Sequence, residues 1–154
     1  MAKIVVLDSG LLGLLARRKE VLPAQECCQW QKVLLASGVR VILPEITDFE
    51  VHRELSRINS LESILRLNRL SEKIGYLPIT TAAMRLAAVL WAQGRKSGQP
   101  MADPKELDCD VILAAQTILL GEAGTVTVTT NVGHLTRMRL PCIGRMFEGL
   151  SAQS

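Results

Sequence analysis

Residues 3–16 read "KIVVLDSGLLGLLA", and this stretch decides the fold class. A short β-branched and aliphatic run, Ile4 to Leu7, stops at Asp8, Ser9 and Gly10. That is the pattern of a buried strand leaving into a turn. The leucines that follow have helical spacing, with Gly13 a modest weakness. A strand passing directly into a helix is the opening of a βαβ unit.

Working outward, the same alternation recurs. "PAQECCQWQKVLLASG" opens with Pro23 near a helix start and closes on Gly38 as a C-cap. "VRVILP" is a second short strand. From Glu45 to Ile74, charges and apolar residues alternate at three- and four-residue spacing, as one long helix or two consecutive ones. "YLPIT" reads as a third strand. "TAAMRLAAVLWAQGRKSG" is an amphipathic helix with Arg95 and Lys96 in its last turn and Gly98 after it. "QPMADPKE" is the most loop-like stretch. Asp108 to Leu120 is the next helix, "TVTVTT" the next strand, and "PCIGRMF" a short terminal strand. Strands alternating with helices specify an α/β fold, a three-layer α/β/α sandwich with a central, mainly parallel sheet. A single domain over residues 1–154 is expected. In such sheets ligands bind outside the carboxyl ends of the strands, near a topological switch point.

Composition bounds the function classes. With 48% apolar and 21% charged residues in 154, the chain has the material for a sizeable core. No apolar stretch reaches the ~18 uncharged residues of a membrane helix. Asp8 interrupts the first apolar run and no small-residue cleavage site follows it, so a cytoplasmic protein without a membrane partner is expected. A net charge of +3 permits a nucleic-acid partner without requiring one. Trp30, Phe49, Tyr76, Trp91 and Phe147 are scattered, which argues against a base-stacking platform. Cys27, Cys28, Cys109 and Cys142 offer no zinc spacing and read as free thiols acting as small core residues. No G-x-G-x-x-G or G-x-x-x-x-G-K-[ST] loop occurs.

The chemistry lies in acids at strand ends. Asp8 closes an apolar strand, where a carboxylate is costly to bury unless paired, hydrogen-bonded or cation-bound. An Asx-turn or a helix N-cap explains it equally well. In "LPEITDFEVHREL", Val51, Leu55 and Ile58 form one apolar face while Ile46 and Phe49 lie roughly opposite. Glu50 and Glu54 fall in the gap, on a helix that touches two surfaces. Pairing of Glu50 with Arg53 or Arg57 is the plainer account. In "KELDCDVILAAQ", Asp108 is a good N-cap and Asp110 would then sit in the first turn, favoured by the helix dipole. Two carboxylates are more than one cap needs. "TVTVTTNVGHL" ends its strand in Thr129, Thr130 and Asn131 and turns through Gly133 to His134, all ordinary turn chemistry taken alone. An open parallel sheet would gather these points at one edge. Converging carboxylates raise one another's pKa unless a divalent cation lies among them, and oxygen-rich sites favour magnesium or manganese.

At this point the residues resemble the PIN-domain family, whose small bacterial members include VapC-type toxin ribonucleases. "LDSG" looks like its first motif. "ITDFEV" is similar to the second, a Thr followed three residues later by Glu, which selects Glu50 over Glu54. "DVILAAQ" resembles the third and selects Asp110 over Asp108. "TTNVGHL" is similar to the last, placing Asn131 at the metal or substrate. The resemblance covers the chain from "VVLDSG" to about "PCIGRMF". It implies a PIN-like sandwich that hydrolyses RNA with Mg2+ or Mn2+. Asp8, Glu50 and Asp110 would hold the metal, with Asp108 as a reserve ligand. Asn131 would be catalytic with these three, orienting water or a phosphate oxygen. Ser9 and Thr130 would be supporting donors, and Arg53 or Arg57 would meet the RNA backbone. The family also implies a homodimer and, for toxins, a small antitoxin partner. His134 stands where many members carry a further aspartate, which leaves open a second metal position. It also keeps alive a rival reading, a PIN-like module that binds RNA or protein with little or no cleavage. A phosphatase of the haloacid dehalogenase type would need an Asp where Gly10 stands.

Overall fold

The computed structural model describes residues 4–16, 32, 36, 38, 40–96, 104–121 and 125–128, with the backbone alone for 96, 104–107 and 125–128. Strand β1 (Ile4–Leu7) runs into helix α1 (Ser9–Ala16), as its residue pattern requires. Strand β2 (Arg40–Pro44) is followed by α2 (Glu45–Arg57) and α3 (Leu61–Lys73), then by β3 (Gly75–Leu77). Helices α4 (Thr81–Lys96) and α5 (Pro104–Leu119) precede β4 (Thr125–Val128). The strands form one sheet in the order β3-β2-β1-β4, and every neighbouring pair is parallel. The chain steps outward from β1 to β3 and then returns to the other side of β1. The topological switch point therefore lies between the ends of β1 and β4, where such sheets bind ligands.

Side-chain alternation in β1 assigns the two faces. Val5 and Leu7 join Val41 and Leu43 of β2 beneath Leu11, Leu12 and Leu15 of α1, Val51 and Leu55 of α2, and Leu67 of α3. Ile4, Val6 and Ile42 face the other way and pack on Ile46, Cys109 and Leu113. Ala83 and Ala87 of α4 close on Val111 and Ala115 of α5, a contact that small side chains permit. The three-layer arrangement expected from the sequence is the one found.

Several expectations are sharpened. The 45–74 segment is two helices, because Asn59 adopts the left-handed conformation (φ 53°) and ends α2. Its N–H bonds the Ser56 carbonyl at 3.1 Å and the Ser60 N–H bonds Leu55 at 2.9 Å, the two bonds of a Schellman motif. Because the helix stops there, Ile58 is left 52% exposed instead of extending the Val51–Leu55 face. Gly38, expected as a C-cap, has φ +79°, which suits that role. Gly75 is needed for space: a Cβ there would lie 2.6 Å from Ile42 Cδ1.

One boundary was misread. Helix α5 begins at Pro104, so Asp108 is its fifth residue and is not the N-cap, and Asp110 is in the second turn. Proline is favoured at a first helical position because its missing N–H has no helical partner there. Most of the proposed helix at 23–38 and the terminal "PCIGRMF" strand lie outside the described residues. No helix among the described residues is long and apolar enough to cross a membrane.

Candidate carboxylate site

Asp8 follows the last residue of β1, an interior strand, and is only 6% exposed. Its Oδ1 accepts the Leu11 N–H at 3.0 Å, so it is the N-cap of α1. The helix N-cap weighed for this residue is the one found, and it fixes the carboxylate at the end of β1. Ser9, next in sequence, hydrogen-bonds Glu50 and favours its ionised form.

Glu50 is brought to the same edge by the start of α2. Thr47, fully buried, donates its hydroxyl to the Leu7 carbonyl at 3.0 Å, pinning α2 to the end of β1. Gln116 of α5, 2% exposed, donates Nε2–H to the Leu77 carbonyl at 2.9 Å. Its Oε1 accepts the Ile46 N–H at 3.5 Å. One amide thus ties α5, α2 and the end of β3. Neither Thr47 nor Gln116 had been given a role from the sequence. The available signal was a polar residue set in an apolar run, as in "VILAAQTILLG", which requires an internal partner when buried.

The other acids of α2 have different partners. Glu45 accepts the Ile79 N–H at 3.2 Å and the Tyr76 hydroxyl at 3.4 Å. Asp48 accepts the same hydroxyl at 3.1 Å and lies 2.9 Å from His52 Nδ1. Burial, Asp48 and Glu45 together push the Tyr76 phenol well above its ordinary range. Glu54 is exposed and accepts from Arg57 Nε at 3.0 Å, which holds its carboxyl below the ordinary value. Glu50 instead feels the charge of Asp110 and Asp8 at the sheet edge.

There its carboxyl is pushed up to about 7, first by burial and next by Asp110. Asp8 adds to the rise, while Arg53 and the Ser9 hydrogen bond oppose it. Carboxylates from three separate elements therefore share one electrostatic neighbourhood. Asp110 is half-buried on α5, and Asp108 is exposed. Cys109, between them, is free and buried, and its thiol is pushed up to about 11 by burial and then by Glu50. A buried, protonated thiol behaves as a core residue, as expected.

Hard oxygen donors of this kind suit magnesium or manganese. Among the described residues, however, no three His, Cys, Asp or Glu side chains already stand as a group that could hold a metal ion. Asn131, expected at the metal or substrate, the supporting donor Thr130, and His134 lie outside the described residues. Arg53 is exposed, and its guanidinium lies over the Phe49 ring.

Known structures share this fold. VapBC2 from Rickettsia felis, solved bound to a DNA fragment from its promoter, matches 92% of this chain and 97% of its own, with TM-score 0.68 and 14% identity. FitAcB from Neisseria gonorrhoeae matches at TM-score 0.65 and 17% identity, over 90% of this chain and 95% of its own. The chain has a VapC-like PIN fold. DNA-bound VapBC from Salmonella typhimurium gives TM-score 0.63 at 20% identity, covering 94% of this chain and 98% of that one. At these identities the likeness is one of fold. No protein-family model matches the sequence, and no curated protein matches it.

Proposed function

We propose that this PIN-fold chain is a metal-dependent endoribonuclease, the toxin of a toxin–antitoxin pair. The supporting observation is that Asp110 and Asp8 both act on Glu50, whose carboxyl is pushed up to about 7, first by burial and next by Asp110. Carboxylates held close enough to oppose one another's ionisation favour a divalent cation among them. In this reading Asp8, Glu50 and Asp110 hold Mg2+ or Mn2+, and exposed Asp108 is the reserve ligand. The ion, when bound, supplies a water of lowered pKa and screens the phosphate charge. Asp8 is oriented by its cap to Leu11, and Glu50 by Ser9. Asn131 and Thr130 orient water or a phosphate oxygen, and Arg53 meets the phosphodiester. The partner is a small antitoxin, by analogy with the VapBC and FitAcB complexes. Homodimerisation and a cytoplasmic location belong to the same proposal.

Cleavage of RNA with Mn2+ by the intact chain, Asp8→Asn and Asp110→Asn tests this reading. We expect activity only in the intact chain and only without chelator. Activity that survives both substitutions, or survives chelation, overturns it. The second reading, a binding module, rests on His134 standing where many PIN-domain members carry an aspartate. RNA bound by the intact chain but never cut would select that reading.

A further inference from the structure

Phe49 is 53% exposed and immediately precedes Glu50 on α2. The core contacts of α2 are made by Ile46, Val51 and Leu55, so the Phe49 ring is not needed for packing. One turn later, the Arg53 guanidinium lies over that ring, 5.5 Å from its centroid. At ~100° per residue, Arg53 is about 40° around the helix from Phe49 and about 60° from Glu50, between the two. Its charge acts on Glu50 and reaches Cys109 on the facing helix α5. A half-exposed aromatic ring, the planar cation over it and the carboxylate Glu50 therefore follow one another around α2.

We infer that Phe49 and Arg53 form a nucleotide subsite beside the carboxylates: a base of single-stranded RNA stacks on Phe49 while the Arg53 guanidinium meets the adjoining phosphodiester. The choice of ligand rests on the ribonuclease reading. Single-stranded RNA is the form that offers an unstacked base face to an aromatic ring. A phosphodiester approaching three carboxylates is repelled, and Arg53 is a cation that acts on Glu50. A guanidinium can cover a ring with its face and donate to phosphate oxygens from its edge. The subsite is one stack beside the acids, which scattered aromatics allow even though they exclude a platform.

Anisotropy of a short fluorescein-labelled single-stranded oligoribonucleotide, measured on the full chain in chelator, tests this. Phe49→Ala should weaken binding about 5-fold or more, the loss of one base stack, and Phe49→Trp should restore it. Arg53→Gln should weaken binding and reduce its salt slope by about one. An oligonucleotide lacking bases should bind the intact chain and Phe49→Ala alike. Equal binding of the base-bearing oligonucleotide by the intact chain and Phe49→Ala overturns the inference, as does failure of the intact chain to bind it. A Phe49→Ala effect on self-association alone also overturns it and assigns the ring to a protein contact. The two proposals fail separately. Stacking behaviour without cleavage in Mn2+ sinks the ribonuclease reading and keeps the subsite. Cleavage with RNA binding and KM unchanged in Phe49→Ala sinks the subsite alone.

Discussion

Two carboxylates at this edge have opposite relations to stability. Asp8 stabilises the fold, because its Oδ1 caps α1 through the Leu11 N–H. Asn caps as well as Asp, whereas alanine cannot, at a cost of about 1 kcal/mol. Asp8→Asn should therefore keep near-native stability while abolishing cleavage, and Asp8→Ala should lose about 1 kcal/mol in urea unfolding as well. Equal stability of the two variants would show that the cap is unimportant. Glu50 is a liability above neutrality. Its folded pKa of about 7 lies above the ordinary 4.5, so the folded state holds the proton more tightly than the unfolded one. That contribution is fully present below pH ~4.5 and is lost as pH rises through 7. Glu50→Gln should match the intact chain near pH 4.5 and exceed it at pH 8. Discounted for solvent screening, the gain is roughly 1 kcal/mol, a few degrees in melting temperature. A lower melting temperature for the variant at pH 8 would contradict this assignment.

At the scale of elements, helix α5 carries the clearest revision. From its start at Pro104, neither Asp108 nor Asp110 is in the first turn, where caps and the helix dipole act. Asp108→Asn should therefore leave stability within about 0.5 kcal/mol, as for an exposed position away from a cap. Asp110→Asn should raise the melting temperature of the metal-free protein, because it removes a charge that disfavours ionised Glu50. A drop of about 1 kcal/mol in either variant, by thermal or urea unfolding, would restore the capping account. Helix α2 shows the complementary lesson. Its register, and hence which of its acids faces the edge, depends on Thr47 reaching Leu7 and on Gln116 reaching Ile46.

For the whole molecule, the proposed cation should act as a ligand of the folded state alone. Mn2+ at one hundred times its dissociation constant should then stabilise the chain by about 2.7 kcal/mol, and chelator should reverse the shift. Asp110→Asn should lose most of that gain in a thermal scan. An unchanged melting temperature of the intact chain across millimolar Mn2+ would count against a bound ion. The parallel sheet makes such coupling reasonable, since it brings loops and helix starts from distant parts of the chain to one edge, around the switch point beside β1.

The sequence by itself determined the α/β class and the positions of the described strands, and it singled out Asp8, Glu50 and Asp110 as candidates. These are carried by local pattern: β-branched runs, helical spacing, and short motifs around single acids. It left open whether residues 45–74 were one helix or two, and it misplaced the start of α5. Those outcomes turn on a left-handed Asn59 and on Pro104 opening a helix inside a loop-like stretch. Only the tertiary structure decided that Glu50 feels the charge of Asp110 and Asp8 while Glu45, Asp48 and Glu54 find partners elsewhere. The same holds for the buried links made by Thr47 and Gln116, and for the place of Phe49 beside the site. The reason is range: capping and periodicity act within a turn or two, whereas burial, electrostatic opposition and hydrogen bonds between elements exist only once the sheet has assembled.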